Sequence, residues 1–282
     1  MKVIVAGGRG FIGGHVCAWL ERAGHAVRIV GRGEPLGDGD VVVHLGLFDE
    51  AQTRETVEAV GDRPLVVASS GDVYYVYDQL RGRVPWDGVQ PRALAEDARL
   101  REELYPYGRI AETPKGTFVD YDKILVERAA MAASHITVLR LPKVYGPGDP
   151  APIFGAVVRR MLRGEPVVVG ERVARWRWTH GYVENVAHAL GLAATSGARG
   201  VYNVGEADPP PLVDRLRAIV VGEVEVVPDE RVPAELRIPI ANPIDLVFDT
   251  TRIRLELGYR ELVDSAPGYA RTVAAMRADA MD

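Results

Sequence analysis

The chain has 282 residues, of which 47% are hydrophobic and 26% are charged, and its mean hydropathy is −0.03. This composition is typical of a globular protein with a large core, and it argues against a disordered chain. The net charge of −5 excludes a chain-wide positive field for a polyanion. The basic and aromatic stretch at 175–178 is more typical of a pocket or a hairpin, so we do not expect nucleic acid as a partner.

The cysteine, histidine and apolar patterns argue against a disulfide-bonded, metal-binding or membrane-spanning protein. Cys17 is the single cysteine, so no internal disulfide can form, and we expect it to be buried in a helix. The histidines show no metal-ligand spacing. No apolar stretch reaches membrane-spanning length, and the first strand begins without a signal-peptide pattern. We therefore expect a cytoplasmic protein with no metal site and no membrane partner.

Strands and helices alternate along the first half of the chain. Short apolar runs predict parallel strands at 2–6, 26–30, 41–45, 65–69, 136–141 and 201–204. Helical spacing predicts helices at 12–20, 50–60 and 122–133. This alternation predicts an α/β fold, a Rossmann doubly wound parallel sheet.

The second half is interrupted by proline, glycine and charged residues, and it predicts a smaller C-terminal α/β lobe that binds substrate. We assign residues 1–145 to the dinucleotide-binding domain, with later strands from about 179–205. Residues 146–282 form mainly the substrate lobe, interleaved with the sheet.

A glycine-rich loop joins the first strand to the first helix. Glycines at 7, 10 and 13 allow a tight turn, a close approach to a pyrophosphate and close helix packing. The helix N-terminus supplies free N–H groups for the phosphates. The loop predicts a set of dinucleotide contacts: Gly7, Arg9, Gly10, Phe11, Ile12 and Gly13.

Further motifs follow this loop in a fixed order. They lie at 40–46 (DVVVHLG), 69–74 (SSGDVY), 139–148 (LRLPKVYGPG), 179–186 (THGYVENV), 201–205 (VYNVG) and 257–259 (LGY). Together with the Phe-Ile between the glycines, they resemble the extended or atypical short-chain dehydrogenase/reductase family, of the NAD-dependent epimerase/dehydratase type. The resemblance implies an NAD(P)-dependent oxidoreductase, epimerase or dehydratase.

The resemblance also implies roles for residues outside the glycine loop. Ser70 and Lys123 match the family's catalytic serine and lysine. Cofactor contacts are implied for His44, Leu45, Gly46, Ser69, Lys123, Pro142 and Val144. Substrate contacts are expected from Asp72, Lys143, Tyr145, Arg177 and His180.

The family's catalytic tyrosine is missing from its usual place. That position, four residues before Lys123, holds Val119. Three alternatives stay open. Another tyrosine takes the role, with Tyr121 as the first candidate; or a different group, Asp72 or Lys143, exchanges the proton; or the cofactor binds without redox turnover. The other candidate tyrosines are Tyr74, Tyr75, Tyr105 and Tyr107.

The chain is also shorter than the family between its second and fourth strands. Too few residues separate the run at 26–30 from that at 41–45 for a helix–strand–helix unit. We therefore expect no third strand, and the strand at 26–30 should form a sheet edge. Because the helix at 50–60 is short too, we expect a monomer or a dimer that does not use the family's four-helix interface.

The end of the second strand predicts the choice of cofactor. Relatives that prefer NAD carry a carboxylate there, whereas this chain has Gly31 followed by Arg32, and no carboxylate before Glu34. Arg32 and Arg9 could both bind a 2′-phosphate, which predicts NADP(H) in preference to NAD(H).

The leading functional hypothesis is an NADP(H)-dependent enzyme that uses hydride transfer on a small polar substrate of the sugar or nucleotide-sugar type. Reduction, epimerisation and dehydration all remain open as the net reaction. The alternative is a cofactor-binding regulatory or RNA-associated protein without redox activity.

Overall fold

A computed structural model describes residues 1–113, 116–220 and 222–279 of the chain. The strands are β1 (Lys2–Ala6), β2 (Ala26–Val30), β3 (Val41–His44), β4 (Leu65–Ser70), β5 (Ile110–Thr113), β6 (Gly116–Val119), β7 (Ile136–Leu141), β8 (Lys143–Tyr145), β9 (Val167–Gly170), β10 (His180–Tyr182), β11 (Gly200–Asn203) and β12 (Val224–Val227). The helices are α1 (Phe11–Arg22), α2 (Glu50–Val60), α3 (Tyr75–Leu80), α4 (Lys123–Ala130), α5 (Gly155–Leu162), α6 (Val183–Thr195), α7 (Leu212–Ile219), α8 (Thr251–Leu257) and α9 (Ser265–Asp279). Short 3-10 turns lie at Gly71–Val73, Asp229–Arg231 and Ala234–Leu236.

Six parallel strands form the central sheet in the order β11-β7-β4-β3-β1-β2. Its middle strands are rich in valine because both of their faces are covered. Helices α1 and α6 share a core with one face of the sheet, and Val60 of α2 and Val126 of α4 pack in the core of the other. The α/β class and the doubly wound parallel sheet are confirmed.

The sheet ends at β2, as the short spacing in the sequence predicts. Among the described residues, 31–40 contain no strand. Arg28 donates a hydrogen bond from this edge to the carbonyl of Pro35, at 3.5 Å. The segment after β2 therefore contacts the edge strand in place of a third strand, although Ile29 stays 39% exposed.

A second, smaller lobe follows β8. The parallel pair of β9 and β12 packs with α5, α7 and α9 around a separate apolar cluster that includes Phe154, Trp176 and Tyr269. The predicted smaller α/β lobe is thus present. Our division into residues 1–145 and 146–282 stays a prediction, and residues 280–282 lie outside the described part.

Two local elements differ from expectation. The hairpin of β5 and β6 was not predicted, because its strands are short and lack a strong apolar alternation. Helix α4 covers 123–130 and not 122–133, since Asp122 caps its first turn by accepting the N–H of Ile124 at 2.8 Å. The later start of α4 places Tyr121 before the helix and Lys123 in its first turn.

Candidate active site

The glycine loop has the geometry that a pyrophosphate needs. Gly7 has φ +87°, and a Cβ at Gly13 would lie 2.1 Å from the Gly7 carbonyl oxygen, so larger residues fit at neither position. Gly10 stands at the N-cap of α1 and offers no side chain to the first N–H groups. These groups can bind a phosphate together with the positive end of the helix dipole.

A cavity of about 610 Å³ continues from this loop along the carboxyl ends of β1, β2 and β3. Its walls bring together several residues predicted to bind the cofactor, among them Gly7, Arg32, His44 and Gly46. Burial lowers the pKa of His44 to about 4, so the imidazole is neutral at physiological pH. His44 therefore adds no charge to the wall of this cavity.

A carboxylate does stand at the end of β2, although the sequence places Glu34 three residues beyond Gly31. The chain turns back at Gly33, and Glu34 Oε2 accepts the N–H of Gly31 at 2.9 Å. The other oxygen of Glu34 lies 3.9 Å from Arg9, which we expected to bind a 2′-phosphate. The end of β2 therefore carries a carboxylate, the kind of group that in NAD-preferring Rossmann proteins bonds the ribose hydroxyls.

Ser70, Asp72 and Tyr121 come together at the carboxyl end of β4. Ser70 ends the strand, and its hydroxyl oxygen accepts the N–H of Asp72 at 3.3 Å. Tyr121 donates its hydroxyl proton to Asp72 Oδ2 at 3.1 Å. Because α4 begins only at 123, position 119 lies in β6, where Val119 is 61% exposed. A tyrosine at 119 could not reach the site, whereas Tyr121 does.

Lys123 is buried beside these groups. Its Nζ donates to the carbonyls of Leu47 and Ala68, at 2.5 and 2.9 Å, and lies 4.8 Å from the ring centroid of Phe48. Burial lowers the pKa of Lys123 to about 8, against the opposing charges of Asp72 and Glu127. The ammonium group is therefore still mainly charged at neutral pH.

Asp72 is the most unusual group of the site. Its side chain is 4% exposed, its Oδ1 has no hydrogen-bond partner, and its Oδ2 accepts from both Tyr107 and Tyr121 at 3.1 Å. Burial raises the pKa of Asp72, while Arg101 and Lys123 lower it. Burial and the Asp72 charge raise the pKa of Tyr121 well above its usual value.

The remaining candidate tyrosines lie elsewhere. Tyr74 belongs to the core: it donates to Asn203 at 2.6 Å, and burial raises its pKa to about 12. Tyr75 stacks under Arg99 and Tyr105 under Arg109.

Ser69, expected at the cofactor, donates instead to Glu127 at 2.5 Å, and Glu127 pairs with Arg140. Its side chain thus belongs to a buried network behind the site, and its role as a cofactor contact remains a prediction.

The substrate lobe contains a cavity of about 430 Å³ next to β8 and β10. Lys143 and His180 line it, as the sequence predicts for substrate contacts, beside the rings of Phe154, Trp176 and Trp178. His180 Nδ1 lies 2.8 Å from the Trp178 carbonyl, and Nε2 is buried without a partner. Burial lowers the pKa of His180 well below its usual value, so this ring is neutral.

The other predicted contacts are placed differently. Tyr145 stacks on Tyr269, with centroids 5.1 Å apart, and lines a neighbouring cavity of about 330 Å³. Arg177 is paired with Asp208 and donates to the Pro209 carbonyl, and it lies in the walls of neither lobe cavity. Its assignment as a substrate contact has no support in this geometry.

Two further expectations concern a metal site and a membrane-spanning helix. In the described part of the chain, no three histidine, cysteine or acidic side chains are grouped so that they could hold a metal ion. Within the same residues, no helix has both the length and the apolar character to cross a bilayer. The cytoplasmic location remains a prediction.

The chain resembles one known protein family and several solved structures. Residues 119–205 match the NAD dependent epimerase/dehydratase family. No curated protein matches the chain. Among solved structures, MoeE5 with UDP-glucuronic acid and NAD is 24% identical with TM-score 0.68, and 99% of this chain and 100% of that chain are covered. The UDP-glucuronic acid 4-epimerase of Bacillus cereus, also with NAD, is 19% identical with TM-score 0.68 and 99% of each chain covered. The UDP-glucose 4-epimerase of Thermotoga maritima is 20% identical with TM-score 0.66, over 99% of this chain and 100% of that chain.

The sheet and the glycine loop define a Rossmann-type fold. The predicted resemblance to the NAD-dependent epimerase/dehydratase family is confirmed, by sequence over residues 119–205 and by likeness of fold over nearly the whole chain. The prediction of an enzyme of this type is confirmed with it.

The predicted preference for NADP(H) is wrong. Several similar structures hold NAD, including MoeE5 and the UDP-glucose 4-epimerase of Thermus thermophilus. The physical reason lies in the turn after β2, which returns the Glu34 carboxylate to the strand end beside Arg9. The sequence does not indicate a carboxylate at the end of β2, because Glu34 reaches that place only through its hydrogen bond to the backbone N–H of Gly31.

Proposed function

We propose that the chain is an NAD-dependent epimerase or dehydratase that acts on a sugar nucleotide by reversible hydride transfer. The observation that carries the proposal is the grouping of Ser70, Tyr121 and Lys123 at the carboxyl end of β4. Because all strands of the sheet are parallel, this is the same edge at which the glycine loop offers its free N–H groups. In this proposal, the catalytic hydroxyls of Ser70 and Tyr121 and the dinucleotide site at the glycine loop therefore lie at one edge of the sheet.

Each catalytic side chain has a distinct role in this proposal. Bound NAD supplies the hydride acceptor. Ser70 hydrogen-bonds the reacting oxygen of the substrate, and Tyr121 exchanges the proton of that oxygen. Lys123 keeps a positive charge below the Tyr121 ring, 5.9 Å from its centroid, and orients the ribose of the cofactor.

The lobe cavity supplies a place for the nucleotide end of the substrate. The rings of Trp176, Trp178 and Phe154 offer flat apolar walls for a base. Arg237, which is exposed at the wall of the cavity, offers its guanidinium to a diphosphate. Neutral His180 supplies a hydrogen-bonding group without a competing charge.

The experiment mixes the purified protein with NAD and with UDP-glucose or UDP-glucuronic acid, and follows reduced cofactor by absorbance and the sugar products by NMR. We expect transient or net NAD reduction. Ser70→Ala should lower the rate by about two to three orders of magnitude with little loss of NAD affinity, since one contact to the reacting oxygen is lost. Lys123→Ala should weaken both rate and NAD binding.

Ser196→Ala is the matched control, because Ser196 is exposed beyond the end of α6. It should behave as the wild type. Tight binding of NAD without reduction by any sugar nucleotide would reject the proposal in favour of a regulatory cofactor-binding protein.

A further inference from the structure

The environment of Tyr121 prevents it from acting as an independent base. Its hydroxyl is buried and faces the Asp72 carboxylate, and both effects raise the pKa of Tyr121, while Ser70 opposes them only as a smaller influence. A neutral tyrosine can take a proton from substrate only if its own proton leaves at the same time. The hydrogen bond from Tyr121 to Asp72 Oδ2 offers the path for that proton.

We propose, on the basis of the proposed function, that Asp72 stores the substrate proton during the reaction and that Tyr107 positions and tunes Asp72. The hydride leaves the substrate carbon with both electrons of its C–H bond and reduces NAD. The hydroxyl proton of the substrate passes to the Tyr121 oxygen, and the proton of Tyr121 passes to Asp72 Oδ2. The substrate becomes a carbonyl compound, and the reverse step returns both the hydride and the protons.

Burial makes Asp72 suitable for this task. Its raised pKa brings its proton affinity closer to that of a reacting hydroxyl group than an exposed carboxylate would have. Asp72 Oδ1 is buried and has no hydrogen-bond partner. Such an unpaired buried acceptor is rare in folded proteins, and no contact among the described residues explains it.

Tyr107 stabilises the charged form of Asp72 from the other side. It donates to Asp72 Oδ2 at 3.1 Å, and its hydroxyl is also 2.9 Å from that of Tyr77. The other groups that influence the charge of Asp72 are Arg101, Lys123 and Tyr121. Arg101 also pairs with Asp122, so its replacement would change more than the surroundings of Asp72. The hydroxyls of Tyr107 and Tyr121 donate to Asp72 Oδ2, and a single substitution can remove either of them.

The test compares Asp72→Asn and Tyr107→Phe with the wild type, using UDP-glucuronic acid as the probe across a range of pH. Asp72→Asn should lower the rate of NAD reduction by about a hundredfold or more, because its amide cannot store the proton. Tyr107→Phe removes one hydrogen bond to the carboxylate. It should therefore move the acid limb of the rate profile to higher pH, by about one unit.

A second measurement does not depend on turnover. The infrared carbonyl band of the protonated Asp72 carboxyl, identified by its loss in Asp72→Asn, should titrate with the same upward shift in Tyr107→Phe. Tyr202→Phe, which removes a hydroxyl bonded to Glu256, is the control and should shift neither curve.

The two proposals fail in different ways. If the infrared titration shifts but the rate profile does not, or if Asp72→Asn keeps the wild-type rate, Asp72 is not the proton store and the proposed function stands. If the wild type reduces no NAD with any sugar nucleotide, the proposed function falls, and this assignment falls with it.

Discussion

Glu34 is the side chain that we expect to influence the choice of cofactor most directly. Its carboxylate reaches the end of β2 through a turn, where it bonds the Gly31 N–H and faces Arg9. The same group lines the 610 Å³ cavity. One residue therefore shapes the ribose end of the site and reduces the positive charge of the glycine loop.

Replacing Glu34 by Gln should lower NAD affinity by about tenfold, because hydrogen bonds from ribose hydroxyls to a charged acceptor are lost. NADPH binding should improve at the same time, since Arg9 is released from its pair. Isothermal titration with both cofactors measures this, and Asp38→Asn, in the same segment but outside the cavity, is the control. An unchanged ratio of the two affinities would show that Glu34 does not face the ribose.

At the scale of elements, the start of α4 fixes the catalytic geometry. Asp122 caps the helix, pairs with buried Arg101 at 3.1 Å, and accepts the N–H of Tyr105 at 2.7 Å. Neither partner of the ion pair is exposed. This contact ties the loop before the hairpin to the first turn of α4 and so holds Tyr121 and Lys123 in place.

Asp122→Ala should destabilise the protein by about 3–5 kcal/mol, because it leaves the Arg101 charge buried without its carboxylate. Urea unfolding followed by circular dichroism measures the free energy of unfolding. The control is Arg109→Ala, which breaks the exposed pair with Asp120 and should change the free energy of unfolding little. A similarly small loss in the free energy of unfolding of both variants would show that the buried Arg101–Asp122 pair stabilises the fold no more than the exposed pair.

The sequence predicts those elements whose signals are local. The glycine loop, α1 and the edge position of β2 follow from spacing and periodicity over short segments. The position of Tyr121 does not, because it depends on where α4 begins, and a contact with Arg101 from a distant loop stabilises that start. The return of Glu34 likewise depends on one backbone hydrogen bond. The motif match alone therefore pointed to Val119, where no hydroxyl could serve the site.

At the scale of the whole molecule, two buried asparagines join segments that are far apart in the chain. Asn203 at the end of β11 donates to the carbonyls of Leu94 and Asp249. Asn185 on α6 accepts the N–H groups of Leu262 and Val263 and donates back to the Val263 carbonyl. These hydrogen bonds fix the segments around Leu94 and Asp249 to β11, and they fix the segment at 262–263 to α6.

The outer surface of the sheet domain predicts a monomer. Arg54, Glu55 and Glu58 are exposed on α2, and Arg54 is already paired with Glu50 along the helix. Interface cores are depleted in such charged side chains, so this face is poorly suited to a helix bundle between two copies. Sedimentation equilibrium should therefore give a single species near 30.7 kDa at micromolar concentration. A dimer would contradict this prediction. The variant Arg54→Glu would then show which surface forms it, since a dimer through α2 should dissociate and a dimer through another surface should not.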